Sequence, residues 1–272
     1  MISNNMKGED LKEVFDDLEE GFQHTGIDFY LIGALARDTW YQKAAKDLRT
    51  TQDADFAIFV STAEEYEQIK NYLIAEKGFT PFKGNAYILF APNKVQVDIL
   101  PFGSIEIDGT VAMAGGGLTQ ISVNGFMEVY SKGTEKTEIS TGHHFKVATL
   151  PAIVMLKLIA FDDRPEQRIK DAGDVGNILR HFFDLQTDLI YSDAYNDLFT
   201  TEIDTIEEIS AIVIGREIKK IVQTNPSLHQ RLKTILQTHI RLQEESMFVR
   251  QMGDRTIEAS VTHLSALLTG LE

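Results

Sequence analysis

Apolar positions near the start of the chain change from helical to strand-like spacing and back. From Leu11 to Phe22 they recur every three or four residues with acids between them, which predicts an amphipathic helix over residues 9–23. Residues 27–32 are mostly apolar and end at a glycine, which predicts a strand. Residues 34–46 return to a helical pattern. The chain therefore opens with a helix, a strand and a second helix.

The next part of the chain adds strands. Residues 53–60 are rich in aromatic and β-branched side chains, and a Ser-Thr pair then offers an N-cap for an acidic helix that ends near residue 77. Residues 86–91 and 95–100 are two further strand-like runs separated by a Pro-Asn pair, which predicts a hairpin. Helices that alternate with strands are typical of an α/β fold, here with a mixed sheet.

The pattern changes twice in the remaining chain. Residues 103–146 contain glycines, threonines and short β-branched runs, which predict short strands and turns. The glycines at 115–117 lack the spacing and the following helix of a dinucleotide-binding loop, so we interpret them as a turn. After residue 150 helical periodicity continues to the end, which predicts a helical bundle. We therefore expect two domains, residues 1–146 and residues 147–272.

The net charge of the chain argues against one class of binding partner. The 272 residues include 26 Lys and Arg against 41 Asp and Glu, which gives a formal net charge of −15. Binding to long duplex nucleic acid is driven largely by phosphate neutralisation, so this balance argues against that class of partner. A small nucleotide, a nucleic-acid end reached through a local basic patch, and a cationic partner all stay open.

The cysteine count excludes several kinds of chemistry, and the hydropathy pattern indicates the cellular compartment. The chain has no cysteine, which excludes disulfides, thiolate zinc sites and cysteine nucleophiles. The first ten residues lack the basic start and apolar run of a signal peptide. The longest strongly apolar stretch, at residues 150–161, is too short to span a bilayer and contains Lys157. We expect a cytoplasmic protein with no membrane partner.

The first candidate for chemistry is the turn at Gly33. A strand that ends in Gly and turns at once into a helix directs the N-terminal amides of that helix at whatever lies beyond the strand, which suits a phosphate. Ala34 supplies one of these amides, and Arg37 lies in the first helical turn. Many turns of this kind bind nothing, so the pattern needs support from elsewhere in the chain.

Carboxylates supply that support. Asp53 and Asp55 are two positions apart at the start of a strand, so both point to one face while Ala54 faces the other. Their repulsion is commonly relieved by a hard cation with oxygen ligands, such as Mg²⁺, although a solvated strand end is the plain alternative. Asp98 lies within an otherwise apolar strand, where an unpaired carboxylate is costly. If its strand pairs beside the first, three carboxylates converge beyond Gly33.

The order of these elements resembles the polymerase-β-type nucleotidyltransferases, whose core has Gly followed by Gly or Ser, then an Asp-x-Asp pair, then a third Asp. The likeness covers roughly residues 27–102. It implies that Asp53 and Asp55 hold one or two Mg²⁺ ions and that Asp98 completes the metal site and activates the acceptor. Ala34 departs from the family pattern because many members carry Ser there, which leaves backbone amides and the nearby arginine to contact phosphate.

The helical half is similar to one branch of that superfamily, the AbiEii-like nucleotidyltransferase toxins. That branch has a Lys in the helix after the core and a Lys-Asp-x-x-Asp motif on the next helix, and the likeness spans about residues 30–181. The resemblance implies that Lys157 contacts the nucleotide phosphates. It also implies that Lys170, Asp171 and Asp174 line the nucleotide side of the cleft.

The residues themselves leave the roles of these positions open. Lys157 is the one charged residue in a helix that is apolar on nearly every face, so its ammonium must reach water or meet an anion. The Lys170 motif lies on a more polar helix, where a salt-bridged surface is the ordinary explanation.

With these patterns, the resemblance implies a Mg²⁺-dependent transfer of a nucleoside monophosphate from an NTP to an acceptor, with release of pyrophosphate. By resemblance the acceptor is a tRNA 3′ end and the protein is a toxin with an antitoxin partner. The −15 charge does not favour RNA unless basic residues cluster locally. The alternatives are an aminoglycoside-type cationic acceptor and a catalytically silent nucleotide-binding or interaction protein. Candidates for the basic cluster are Arg216, Lys219, Lys220, Arg231 and Lys233.

Overall fold

A computed structural model describes residues 8–43, 53–199, 203 and 205–272. Its helices alternate with strands in the first half and follow one another in the second, and two short 3₁₀ turns lie at 193–198 and 243–245. The helices are α1 (Gly8–Thr25), α2 (Gly33–Lys43), α3 (Ala63–Lys77), α4 (Phe126–Lys132), α5 (Leu150–Asp163), α6 (Ile169–Leu185), α7 (Thr187–Ile190), α8 (Ile206–Val222), α9 (Pro226–Leu242), α10 (Met247–Gln251) and α11 (Ile257–Leu271).

Seven of the described strands form one mixed sheet in the order β3-β4-β5-β2-β1-β9-β8, and β6 pairs with β7 in a separate ribbon. β2 is antiparallel to β1 and parallel to β5. The predicted α/β core with a mixed sheet and a helical C-terminal half is therefore confirmed. The strands are β1 (Asp28–Ile32), β2 (Asp53–Phe59), β3 (Thr80–Pro81), β4 (Ile88–Phe90), β5 (Gln96–Phe102), β6 (Thr110–Ala112), β7 (Gln120–Ser122), β8 (Thr134–Glu138) and β9 (His144–Ala148).

The chain divides into two compact units. The first runs to Tyr130 and includes Thr134–Thr149, and the second comprises Ser131–Gly133 and Leu150–Glu272. The sheet and the ribbon belong to the first unit, and the helices from α5 onward belong to the second. The domain boundary predicted at residue 146 falls inside β9, which the first unit keeps to its end.

One face of the sheet is covered by α1 with α3 beside it. Phe15 and Phe22 of α1 approach Phe56 of β2 with ring centroids 5.7 and 6.0 Å apart. These are apolar positions of the amphipathic pattern, so burial of that stripe explains why α1 forms where the spacing predicts it. Thr62 caps α3 by accepting a hydrogen bond from the backbone N–H of Glu65, as the sequence predicts.

Residues 103–146 differ from the sequence prediction in one element. The chain forms the short helix α4 within the stretch expected to contain only strands and turns. Tyr30 of β1 donates a hydrogen bond to the backbone oxygen of Phe126, 3.0 Å away, and this contact with the sheet helps to hold α4. The glycines at 115–117 form the turn between β6 and β7, as expected. Gly117 has a φ of +72° and packs so tightly that a Cβ would lie 2.0 Å from the Gly84 backbone oxygen.

Close backbone packing joins two helices of the second unit. A Cβ on Gly215 of α8 would lie 2.2 Å from the Leu267 backbone oxygen, and a Cβ on Gly270 of α11 would lie 2.1 Å from the Ile212 oxygen. Larger residues at either position would push the helices apart. No helix in the described ranges is long and apolar enough to cross a membrane.

A buried polar cluster fixes the start of α11. The Asp254 side chain is 2% exposed and accepts hydrogen bonds from Arg180 at 2.6 Å and from Ser260 at 2.9 Å. His263 Nδ1 lies 3.2 Å from the same carboxylate. Burial alone would raise the pKa of Asp254, but the bonds to His263, Arg180 and Ser260 outweigh it and lower the pKa.

A lowered pKa means that the Asp254 carboxylate stabilises the fold above its unfolded pKa of about 3.9 and loses this effect as the pH falls through the folded value. We expect Asp254→Asn to lower the free energy of unfolding at pH 7 by roughly 1.5–3 kcal/mol. The deficit should shrink as the pH falls below about 4. Urea unfolding from pH 7 to pH 3 measures it, with the exposed Asp188→Asn as control. A deficit that does not change with pH would contradict the role of this charge.

Candidate active site

The predicted carboxylates lie on two adjacent strands of the sheet, β2 and β5. Asp53 and Asp55 alternate on β2 with Ala54, which is fully buried on the other face. The β2–β5 register sets Asp55 directly opposite Asp98. The pairing of the Asp98 strand beside the Asp53 strand, on which the sequence argument depended, is therefore confirmed. Neighbouring strands lie about 4.8 Å apart, so the two residues are close neighbours across the ladder.

Asp53, Asp55 and Asp98 form what we call the acidic face, and Gly33 lies directly against it. Ile32, the residue before it, is paired with Asp55 across the β1–β2 ladder. Gly33 has a φ of +70°, and a Cβ built on it would lie 2.1 Å from Asp55 Oδ2. A side chain cannot occupy that space while the carboxylate stays in place. The chain thus places the first turn of α2 and its backbone amides next to the Asp55 carboxylate.

We expect Gly33→Ala to abolish nucleotidyl transfer, because the new methyl group displaces the Asp55 carboxylate. The matched control is Gly26→Ala. Gly26 has nearly the same φ, +69°, but its Cβ would meet nothing within 4 Å. Both variants carry the strain of a left-handed alanine, about 1–2 kcal/mol. This strain should lower the free energy of unfolding of both proteins by a similar amount. Transfer assays and urea unfolding of the two proteins test this, and equal activities would show that the Gly33 contact is not needed.

Arg37 is buried, with 6% of its side chain exposed, and it does not extend into solvent. Its Nε and Nη2 donate to Asp38 Oδ1 at 2.9 and 2.7 Å, and its guanidinium lies 5.9 Å from the Tyr41 ring. The guanidinium therefore already has a carboxylate partner. The role of Arg37 in phosphate binding remains a prediction, as does that of the Ala34 backbone amide.

Sequence reasoning missed a polar neighbour of the acids. Gln96 begins β5, lies opposite Asp53 in the ladder, and shares the face of Asp98 two residues on. Its Nε2 donates a hydrogen bond to Asp98 Oδ1 at 2.8 Å. A single glutamine in a strand has no pattern that distinguishes it from a solvated residue, so only the register reveals its place.

In the second unit, Lys157 meets an anion, which is one of the two environments that the sequence required. Its Nζ lies 2.6 Å from Asp171 Oδ1 and 2.8 Å from Asp174 Oδ2. The three side chains are 15%, 10% and 13% exposed. Burial of Lys157 opposes its positive charge, but the attraction of Asp171 and Asp174 is stronger, so the pKa of Lys157 is raised.

The other members of the predicted nucleotide-binding set differ in exposure. Lys170 is exposed at the start of α6, whereas Asp171 is buried. Asp171 Oδ2 is a buried oxygen with no hydrogen-bond partner, while Oδ1 of the same carboxylate bonds Lys157. An unsatisfied buried acceptor costs about 1–3 kcal/mol, so this oxygen lowers the stability of the fold. The salt-bridged surface that is the ordinary explanation of the Lys170 motif does not describe Asp171 and Asp174, because their salt bridges to Lys157 are largely buried.

The acidic face has the chemistry of a hard-cation site. Carboxylate oxygens are the ligands that Mg²⁺ prefers, and Mg²⁺ is usually held by one or two carboxylates together with substrate phosphates. Within the described ranges, no group of three or more His, Asp or Glu side chains is arranged to hold a metal ion by itself. The facing pair Asp55 and Asp98 fits a metal that a nucleotide helps to hold.

Comparison with known protein families assigns the chain to one of them. The profile of the nucleotidyl transferase AbiEii toxin family, from type IV toxin–antitoxin systems, matches residues 18–237. The match includes the acidic face and the Lys157 cluster. The chain belongs to this family and is a nucleotidyltransferase by that membership. The resemblance predicted from the sequence is confirmed.

Similar solved structures include a solution structure of the antibiotic-resistance factor ANT(2'')-Ia, with a TM-score of 0.42 and 10% identity. That match covers 86% of this chain and 100% of the other. A crystal structure of ANT(2")-Ia in complex with adenylyl-2"-tobramycin gives a TM-score of 0.40 and 12% identity, over 66% of this chain and 89% of the other. No curated protein matches the chain in sequence.

Proposed function

We propose that this protein moves a nucleoside monophosphate from an NTP to an acceptor hydroxyl in a Mg²⁺-dependent reaction. The observation that carries the proposal is the contact between Gly33 and the Asp55 carboxylate, with Asp98 facing Asp55 across the ladder. It joins a phosphate-binding type of turn to the acids that a cation needs. At Gly33 the Asp55 carboxylate fills the space that any side chain would need. A solvated strand end would not require a glycine at this position.

The reaction uses the acids in different roles. The acceptor oxygen attacks the α-phosphorus of the NTP, the bond from that phosphorus to the bridging oxygen breaks, and pyrophosphate leaves. Asp53 and Asp55 would hold one or two Mg²⁺ ions, which stabilise charge on the attacking and leaving oxygens when bound. Asp98 would be the third ligand and would take the proton of the acceptor hydroxyl.

The remaining predicted residues would bind the nucleotide. The amides at the start of α2, from Gly33 and Ala34, would contact the triphosphate together with Arg37. In the second unit, Lys157 would contact phosphate, with Lys170, Asp171 and Asp174 on the nucleotide side. The raised pKa of Lys157 supports this because it keeps the ammonium charged.

For the acceptor, we propose a tRNA 3′ end, in a toxin that an antitoxin partner neutralises. Membership of a nucleotidyl transferase toxin family supports the toxin role. The reaction would take place in the cytoplasm, where NTPs and tRNA are available. An acidic toxin would suit a basic antitoxin, since charge complementarity speeds their encounter.

A cationic small molecule is the second candidate acceptor. The basic residues proposed as an RNA-binding cluster are engaged with acids or carbonyls: Arg216 with Asp197, Lys220 with Glu217, and Arg231 with Asp162 and Asp163. Lys219 and Lys233 both contact the C-terminal Glu272. Their partners weaken the local positive field, which together with the −15 charge favours a cation over RNA.

One labelling experiment separates the candidates. The purified protein is incubated with Mg²⁺, each α-³²P-labelled NTP, and either deacylated tRNA or an aminoglycoside. Label on tRNA supports the toxin proposal, and label on the aminoglycoside supports the second candidate. If label enters neither of these nor any component of a cell extract, while the nucleotide still binds, the protein is a silent nucleotide-binding protein and the proposal is wrong.

A further inference from the structure

Among the described residues, the acidic face includes a neutral donor, Gln96, which no part of the proposed reaction uses. It lies at the start of β5, opposite Asp53 on the neighbouring strand and two residues before Asp98 on its own. Its side chain is only partly exposed. A residue in that place has carboxylates on two sides, so its chemistry affects how they are arranged.

The direction of the Gln96 hydrogen bond follows from the charge of its partner. Nε2 donates to Asp98 Oδ1 at 2.8 Å. The reverse orientation would set the amide oxygen against a carboxylate oxygen, and both of these atoms only accept hydrogen bonds. Hydrogen bonds to charged groups are stronger than neutral ones. The amide therefore holds one oxygen of Asp98 in a fixed orientation beside Asp55.

A neutral donor suits this position better than a cation. A Lys or Arg would neutralise Asp98 and compete with a metal ion for the carboxylates. An apolar residue would remove the hydrogen bond to Asp98 Oδ1. Glutamine orients the carboxylate and leaves its negative charge unchanged.

We propose that Gln96 is a positioning residue, which holds the Asp98 carboxylate in the orientation that cation binding and transfer require. This inference rests on the proposed function. Residues that orient metal ligands through a hydrogen bond typically affect metal affinity or activity by roughly 10–100-fold when changed.

The test compares Gln96→Met with wild type. Methionine keeps the length of the side chain and removes the donor. The control is Gln120→Met on β7, where the same change is made to an exposed glutamine away from the acids. We measure Mn²⁺ binding by calorimetry in the presence of a non-hydrolysable NTP analogue, and separately kcat and KM for the NTP. Gln96→Met should raise the Kd for Mn²⁺ and lower kcat, each by roughly tenfold or more, with KM changed far less.

A second variant tests the direction of the bond. Gln96→Glu keeps the shape of the side chain but offers a carboxylate in place of the amide, so it should disturb Asp98 at least as much as Gln96→Met. If Gln96 only stabilises the strand, the variants will lower the melting temperature and leave the Mn²⁺ Kd and kcat unchanged, which would overturn the proposal.

The outcomes also separate this inference from the proposed function. If wild type binds Mn²⁺ but transfers no nucleotide, the proposed function is wrong, and the Mn²⁺ Kd values alone decide the role of Gln96. If wild type transfers nucleotide and Gln96→Met behaves like Gln120→Met, only the inference is wrong. If wild type binds no Mn²⁺, Asp98 is not oriented for a cation and the inference is wrong as well.

Discussion

Replacing Asp55 by asparagine should reduce nucleotidyl transfer by at least about a hundredfold while the protein stays folded. The Asp55 carboxylate packs against Gly33, and Asp55 faces Asp98 across the ladder. Its charge therefore lies between the α2 turn and the second acid of the proposed cation site. A catalytic metal contributes several kcal/mol of transition-state stabilisation, and about 1.4 kcal/mol corresponds to a tenfold change in rate. Initial rates with α-labelled NTP measure the loss.

Stability provides an independent reading of the same variant. Asp55 and Asp98 face each other across the β2–β5 ladder. Urea unfolding of Asp55→Asn in EDTA should show a cooperative transition, which separates a loss of transfer from a loss of folding. Asp108→Asn is the matched control, because Asp108 is an exposed aspartate of the same unit. An Asp55→Asn protein with full transfer activity would exclude Asp55 from the reaction.

Replacing Lys157 by methionine should destabilise the protein by about 3–5 kcal/mol. Removing one partner of a buried ion pair leaves an uncompensated buried charge, and losses of this size are typical. Here two carboxylates, Asp171 and Asp174, lose their common partner. Urea unfolding at pH 7 measures the change, and an unaltered slope against urea would show that the unfolded state is not affected.

Two further proteins show whether the loss comes from the carboxylates. Lys219→Met, which removes an exposed lysine of α8 in the same unit, should change stability by no more than about 0.5 kcal/mol. A triple variant with Lys157→Met, Asp171→Asn and Asp174→Asn should recover much of the lost stability, since no charge is then left without a partner. If Lys157→Met is as stable as wild type, the ion pairs of Lys157 contribute nothing measurable.

The acidic face could be predicted because its signal is local. Alternation along β2 is enough to place Asp53 and Asp55 on one face. Asp98 needed a further condition, the pairing of its strand with β2, which the sequence only suggested and the register supplies. The glycine turn was visible, but its reason, the approach of Asp55 to Gly33, is a contact between two separate strands.

Other features depend on tertiary contacts that a linear pattern does not contain. The helix α4 is seven residues long and lies between glycines, so it has too few turns for a periodic signal. Arg37 and Asp38 are adjacent on a helix, where neighbours do not normally face each other, so no sequence pattern predicts their ion pair. The spacing of Asp171 and Asp174 sets them on one face of α6, but only the packing of α5 against α6 shows that Lys157 meets both.

Comparison of α-³²P-labelled with γ-³²P-labelled NTP tests the central claim most directly, in the presence of Mg²⁺ and an RNA-containing cell extract. Nucleotidyl transfer predicts that the α label enters the acceptor and the γ label leaves entirely as pyrophosphate, with both signals lost in Asp53→Ala. If the γ label enters the acceptor, the reaction is phosphoryl transfer. That result, or equal labelling by Asp53→Ala, would contradict the account.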